Sequence, residues 1–82
     1  MKNSTLPDAV ALLEALDWQG AHVIVQESEE PLAEWAHGIV HLIEGDEANA
    51  RYWYVRAGRA FHGMSAIDSE IARLKESMEG KT

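Results

Sequence analysis

The chain has 82 residues and no cysteine, and its 14 acidic and 7 basic side chains give a formal net charge of −7. We expect residues 1–82 to form a single helical domain with a thin core. The composition excludes disulfides and thiolate metal sites, and the charge disfavours nucleic acid and anionic membranes as partners. No apolar run approaches the roughly 20 residues of a membrane helix, and the amino terminus lacks a secretory pattern, so we expect a cytoplasmic protein.

Two short amphipathic helices are predicted in the first third of the chain. Thr5-Leu6-Pro7-Asp8 is a variant of the capping box that begins a helix. The apolar residues that follow at helical spacing are Ala9, Leu12, Leu13 and Leu16. Asp17 can cap a second helix, which we expect to run from about Trp18 to Glu27.

The centre of the chain predicts a helical hairpin. Pro31 suits the first turn of a third helix, because its missing N–H would have no partner there. The buried stripe predicted for this helix is Leu32, Trp35, Ala36, Ile39, Leu42 and Ile43. Gly45 can adopt the left-handed conformation that ends a helix, and Asp46 can then cap a fourth helix that ends at Gly58.

A fifth helix is predicted after a loop of small and polar residues. Ser65-Ala66-Ile67-Asp68 repeats the capping-box pattern, and the apolar stripe that follows is Ile67, Ile71, Leu74 and Met78. Short connections force neighbouring helices to be antiparallel. We therefore predict an all-α fold with two antiparallel helical hairpins in a tetratricopeptide-like stack, closed by this C-terminal amphipathic helix.

The hairpin segment also carries a resemblance. Its pattern is His37-x-x-x-His41-x-x-Glu44-Gly45-Asp46-x-x-Asn49-Ala50-Arg51-Tyr52-Trp53-Tyr54-x-Arg56-Ala57-Gly58. It resembles a family of small uncharacterised bacterial and fungal helical proteins, and this resemblance implies no particular activity. The Gly-Asp-x-x-x-Ala and Trp-Tyr-x-x-Ala-Gly segments within it resemble tetratricopeptide-class repeats, which implies a scaffold that holds peptides or partner proteins.

Three histidines are candidate metal ligands. His37 and His41 lie one turn apart on one helix face, and His22 on the preceding helix can supply a third nitrogen. Such a set, with an open fourth position, suits zinc or another divalent ion, and Glu34 or Glu44 can add a ligand or orient one. The alternative is structural: the rings pack in the hairpin while their nitrogens bond carboxylates or main chain. We favour it, because this spacing is common by chance and the chain has no His-Glu-x-x-His motif.

The arginine and aromatic residues of the fourth helix allow two interpretations. Arg51, Arg56 and Arg59, with nearby aromatic residues and His62, could form a pocket for a carboxylate or phosphate. Alternatively the arginines pair with the abundant acids while Trp53 and Tyr54 belong to the core, and this interpretation is favoured. Asp46 and Asn49 are interpreted as a helix cap and its local partner.

The leading functional hypothesis is a protein or peptide interaction module. Its predicted contact residues are Tyr52, Tyr54, Arg56 and Arg59. Self-association is one form of it, because the final-helix residues Ile67, Ile71 and Met78 are expected to be exposed in a monomer. The main alternative is a metal-binding protein, or a metal-dependent enzyme, that uses His22, His37 and His41.

A third hypothesis is a small-molecule sensor or enzyme with Arg59 and His62 at the mouth of a pocket. Hydrolase elbows and glycine-rich phosphate loops are absent from the sequence. The residues predict no cofactor apart from zinc or another divalent metal, and they leave open whether the protein is an enzyme.

Overall fold

The computed structural model describes residues 5–80, which form five α-helices. They are α1 Leu6–Glu14, α2 Trp18–Val25, α3 Pro31–Glu44, α4 Glu47–Ala57 and α5 Ile67–Met78. This part of the chain contains no strand, so the predicted all-α class is confirmed. None of these five helices is long and apolar enough to cross a membrane.

Most helix ends lie where the sequence predicts them. Asp17 accepts a hydrogen bond from the Gly20 backbone N–H at 3.1 Å and so caps α2, although α2 ends at Val25, two residues earlier than expected. Gly45 follows α3 with a φ of +88°, a conformation that disfavours a side chain.

The predicted capping of α5 is wrong. The residue before this helix is Ala66, and no side chain caps the helix start. The Ala66 backbone N–H bonds to the Gly63 carbonyl at 3.4 Å, so Ser65 belongs to a turn that precedes the helix. The Ser69 hydroxyl instead donates to the Ala66 carbonyl at 3.1 Å.

Helix α3 lies at the centre of the fold and packs against each of the other four helices. All residues from 33 to 42 are buried, so this part of the helix is enclosed on every side. The apolar spacing predicts a single buried stripe, and the structure buries the polar side as well. Gly38 permits the close approach of α4, because a Cβ atom at this position would lie 2.6 Å from Cδ1 of Tyr54. The enclosed stretch also carries Glu34, His37 and His41 into the interior.

The two predicted hairpin pairs are neighbours in space, since α1 packs against α2 and α3 against α4. Their tetratricopeptide-like stacking stays a prediction. Helix α5 packs against α1 and α3. Ile71 is only 6% exposed there, and Ile67 and Met78 are half-buried, so the expectation that these three residues are exposed in a monomer is wrong.

A buried carboxylate joins α5 to α3 and α4. Glu70 is 2% exposed, and its Oε1 atom accepts hydrogen bonds from Trp35 Nε1 at 3.1 Å and from the Tyr54 hydroxyl at 2.6 Å. The Nη1 atom of Arg73 lies 3.7 Å from the other carboxylate oxygen. Burial, followed by the hydrogen bond to Glu70, raises the pKa of Tyr54 and keeps its hydroxyl protonated as a donor.

Removal of the Tyr54 hydroxyl tests this link. Tyr54→Phe leaves the buried Glu70 carboxylate with one donor fewer, so we expect the free energy of unfolding in urea to fall by about 1 to 3 kcal/mol. The matched control is Tyr52→Phe, which removes an exposed hydroxyl whose one hydrogen bond within residues 5–80 is accepted from Arg56, and we expect it to change stability by less than about 0.5 kcal/mol. Equal effects of the two substitutions would contradict a structural role for the Glu70 network.

Candidate metal centre

Three imidazole rings meet between α2 and α3. His22 comes from α2, and His37 and His41 from consecutive turns of α3. The ring centroids are 4.7 Å apart for His22 and His37, 5.5 Å for His22 and His41, and 5.2 Å for His37 and His41. One ring nitrogen from each residue can be chosen so that all three lie within 4.8 Å of one another. The structure therefore brings together the three predicted metal ligands.

A carboxylate at the end of α3 orients one of these rings. Nδ1 of His41 lies 2.7 Å from Oε1 of Glu44, one turn further along the helix. This contact leaves Nε2 of His41 as the nitrogen available to a ligand. A carboxylate on the outer nitrogen of a histidine is the arrangement that fixes the ring and its tautomer in metal sites.

A second group of possible metal ligands shares His41 with the histidine cluster, but its aspartate has a structural role. His41, Glu44 and Asp46 also place ligand atoms within 4.8 Å of one another. Asp46, however, accepts from the Asn49 backbone N–H at 3.3 Å and from its side-chain amide at 2.8 Å, and these hydrogen bonds lower the pKa of Asp46. The predicted interpretation of these two residues as a helix cap is confirmed.

His37 occupies an aromatic environment. Its ring stacks on Trp53 of α4 with centroids 3.8 Å apart and planes inclined by 10°. The Arg56 guanidinium lies 5.1 Å from the centroid of the same indole ring. Within residues 5–80, the side chains of His22 and His37 make ring contacts and no hydrogen bond to another residue. Their nitrogens therefore lack the carboxylate or main-chain partners that the structural interpretation predicts for them.

Two of the three rings, His37 and His22, lie in surroundings that disfavour their protonated forms. Burial, the neighbouring His22 and His41, and Arg56 lower the pKa of His37 from 6.5 to about 4. Burial and His41 also lower the pKa of His22, although Glu44 acts in the opposite direction. A neutral imidazole is the form that binds metal, so at neutral pH His37 has no proton to lose on binding.

The four residues predicted to contact a partner do not form one surface. Tyr52 is 52% exposed and lies beside Arg56, which is ion-paired with the buried Glu34 at 3.0 Å. Tyr54 is 1% exposed, so the prediction that it contacts a partner is wrong, and it is a core residue as the alternative interpretation predicts. Arg59 lies over the Trp35 ring, 3.9 Å from its centroid.

Pairing of arginines with acids accounts for two of the three arginines in the predicted anion pocket. Arg51 pairs with Glu47 at 2.8 Å, and Arg56 with Glu34. Sequence reasoning missed the Glu70 network. A signal for it was present, because Glu70 falls on the apolar stripe of α5, three residues after Ile67 and four before Leu74.

The fold and the cluster define a small all-α protein with a three-histidine site between two helices. The chain matches no protein-family model, no curated protein and no solved structure. The resemblance to small bacterial and fungal helical proteins stays a prediction.

The lowered pKa of His37 predicts an acid-sensitive fold for metal-free protein. Between pH 6.5 and about 4 the unfolded chain binds a proton that folded His37 does not, so stability rises with pH across this interval. Lowering the pH from 7 to 5 should remove about 2 kcal/mol of unfolding free energy through this residue alone.

The measurement is urea denaturation at several pH values in the presence of a chelator. His37→Gln should flatten the dependence between pH 5 and 7, whereas the exposed control His62→Gln should retain the slope of the parent protein. A parent whose stability is constant over this range would contradict the assignment.

Proposed function

We propose that this protein binds a divalent metal ion, preferably zinc, through His22, His37 and His41. The observation that carries the proposal is the convergence of three ring nitrogens, from two helices, to within 4.8 Å of one another. Three imidazoles suit zinc, copper and nickel and are poorly matched to calcium or magnesium, which prefer oxygen ligands. The fourth position is then left to water or to another ligand.

The nitrogens can reach the spacing that zinc requires through small side-chain movements. Tetrahedral zinc with bonds of about 2.0 to 2.1 Å to nitrogen separates its ligand atoms by about 3.3 Å. Nitrogens that begin within 4.8 Å of one another reach this spacing through movements of about 1 to 1.5 Å. His22 is half-buried on the short helix α2, so rotation of its side chain can supply much of this movement.

The surroundings favour a metal over a purely structural cluster. Only His41 has a carboxylate partner among residues 5–80, and because no buried side-chain nitrogen there lacks a partner, the unpaired ring nitrogens of His22 and His37 are open to solvent and to a ligand. His22 and His37, whose pKa values are lowered, lie next to His41 and make no hydrogen bond to another residue in 5–80. A metal ion that binds these nitrogens would displace solvent and would break no protein hydrogen bond.

Zinc binding is tested by native mass spectrometry and calorimetric titration at pH 7. We expect the tag-free parent protein to bind one zinc ion, and His37→Gln and His22→Gln each to abolish binding. Glu44→Gln should weaken affinity by about 10-fold to 100-fold, because it removes the group that orients His41.

The matched control is His62→Gln, which removes an exposed histidine outside the cluster and should bind zinc as the parent does. His22→Gln distinguishes loss of a ligand from loss of the fold, because His22 is less buried than His37 and its substitution disturbs the core less. Equal zinc binding by the parent and by both ligand variants would rule out this site.

A second candidate function is the interaction module, supported by the outer face of α4. Tyr52 is 52% exposed and Val55 is 78% exposed, and the two lie one turn apart. Large apolar side chains that share one exposed helix face are typical of surfaces that contact another protein. A second copy of this chain and an unrelated protein or peptide are the partners that this proposal allows.

Self-association through this face is tested by sedimentation equilibrium. We expect the apparent mass of the parent to rise with concentration, and that of the Tyr52→Ser, Val55→Ser variant to stay at the monomer value. Val23→Ser is the control, because Val23 is 60% exposed but belongs to α2. A parent that stays monomeric throughout would leave only a different protein or a peptide as the partner.

A further inference from the structure

A cleft of about 410 Å³ opens between the segment that follows α4 and the helix α5. It lies apart from the histidine cluster and shares no residue with it. The side chains that give it its chemistry are Trp35, Arg59, His62, Glu70, Arg73 and Glu76. Its volume falls within the range of sites that bind small molecules.

Arg59 is the cation in this cleft that lacks a carboxylate partner. Of the lysines and arginines in residues 5–80, Arg51, Arg56, Arg73 and Lys75 all make ion pairs with acids, and Arg59 makes none. Its guanidinium instead lies over the Trp35 ring, 3.9 Å from the centroid. The side-chain N–H groups of Arg59 make no hydrogen bond to another residue in 5–80, so they are available to an anion while the cation–π contact holds the side chain in place.

The acidic side chains of the cleft limit the charge of such an anion. Glu70 is already compensated by two hydrogen bonds and by Arg73 at 3.7 Å, whereas Glu76 is exposed and adds negative charge at the rim. The two arginines and two glutamates together contribute no net charge. Because these charges cancel, the net charge of −7 on the chain decides, and it repels a singly charged carboxylate less than a doubly charged phosphate.

We propose that this cleft binds a small monocarboxylate, with Arg59 as its bidentate anchor. Two parallel N–H···O bonds from a guanidinium match the geometry of a carboxylate. Arg73 is 59% exposed and only loosely paired with Glu70, so it can supply a second set of donors. Trp35, which contacts both Arg59 and Glu70, lies at the base of the site and reports on its occupancy.

Acetate titration followed by nuclear magnetic resonance tests the proposal at constant ionic strength. The reporter is the indole N–H resonance of Trp35, whose donor contacts Glu70. We expect saturable shifts with a dissociation constant of about 1 to 10 mM, a range that a ligand of a few atoms can reach. Inorganic phosphate at the same pH should bind more weakly than acetate.

Two substitutions of the anchor make the test specific. Arg59→Gln should abolish the saturable shift, and Arg59→Lys, which keeps the charge but loses the fork, should weaken binding by at least about fivefold. The control Arg51→Gln alters an exposed arginine of α4 that does not line the cleft and should bind acetate as the parent does. A shift that stays linear with acetate, tighter binding of phosphate, or unchanged binding by Arg59→Gln would each overturn the proposal.

Discussion

The enclosure of α3 from residue 33 to residue 42 is the constraint on which the rest of the structure depends. A short chain has little interior, yet residues 33–42 of this helix are all buried, and they include Glu34, His37 and His41. A buried charge without a partner is destabilising by a few kcal/mol, so the position of α4 matters for Glu34, whereas His41 is paired with Glu44 within α3 itself. Helix α4 contributes Arg56 to Glu34 and Trp53 to His37. The positions of the surrounding helices are thus linked to the polar residues of the central one.

The same enclosure separates the two proposed sites, because Trp35 and His37 lie two residues apart in α3 and their side chains contact different helices. The ring of His37 packs against α2 and α4, whereas the indole of Trp35, two residues earlier, hydrogen bonds to α5. The histidine cluster supplies three imidazole ligands, and the pKa values of His22 and His37 are lowered, which favours a metal ion. The cleft near Trp35 has an arginine without a carboxylate partner, which favours an anion. Within residues 5–80 of this acidic chain, Arg59 is thus a cation that no carboxylate pairs with.

Local signals in the sequence predicted the helices well because each depends on a few adjacent residues. The caps at Asp17 and Asp46 and the left-handed Gly45 need only their neighbours along the chain, and the structure has all three. The same reasoning was wrong at Ser65, where a turn from Gly63 to Ala66 displaces the expected cap. It also predicted one buried stripe for α3, since periodicity shows which residues are apolar and cannot show that neighbours enclose the polar side as well.

The sequence by itself determined the helical class, most helix boundaries and the identity of the three candidate ligands, of which His37 and His41 share a face through helical spacing alone. Only the tertiary structure decided that His22 joins them, that Tyr54 is buried, and that Glu70 receives hydrogen bonds from Trp35 and Tyr54. These facts depend on contacts between residues 15 to 35 positions apart along the chain, which are set by how helices pack. Packing follows from the shape and burial of whole faces, and no short pattern of residues encodes it.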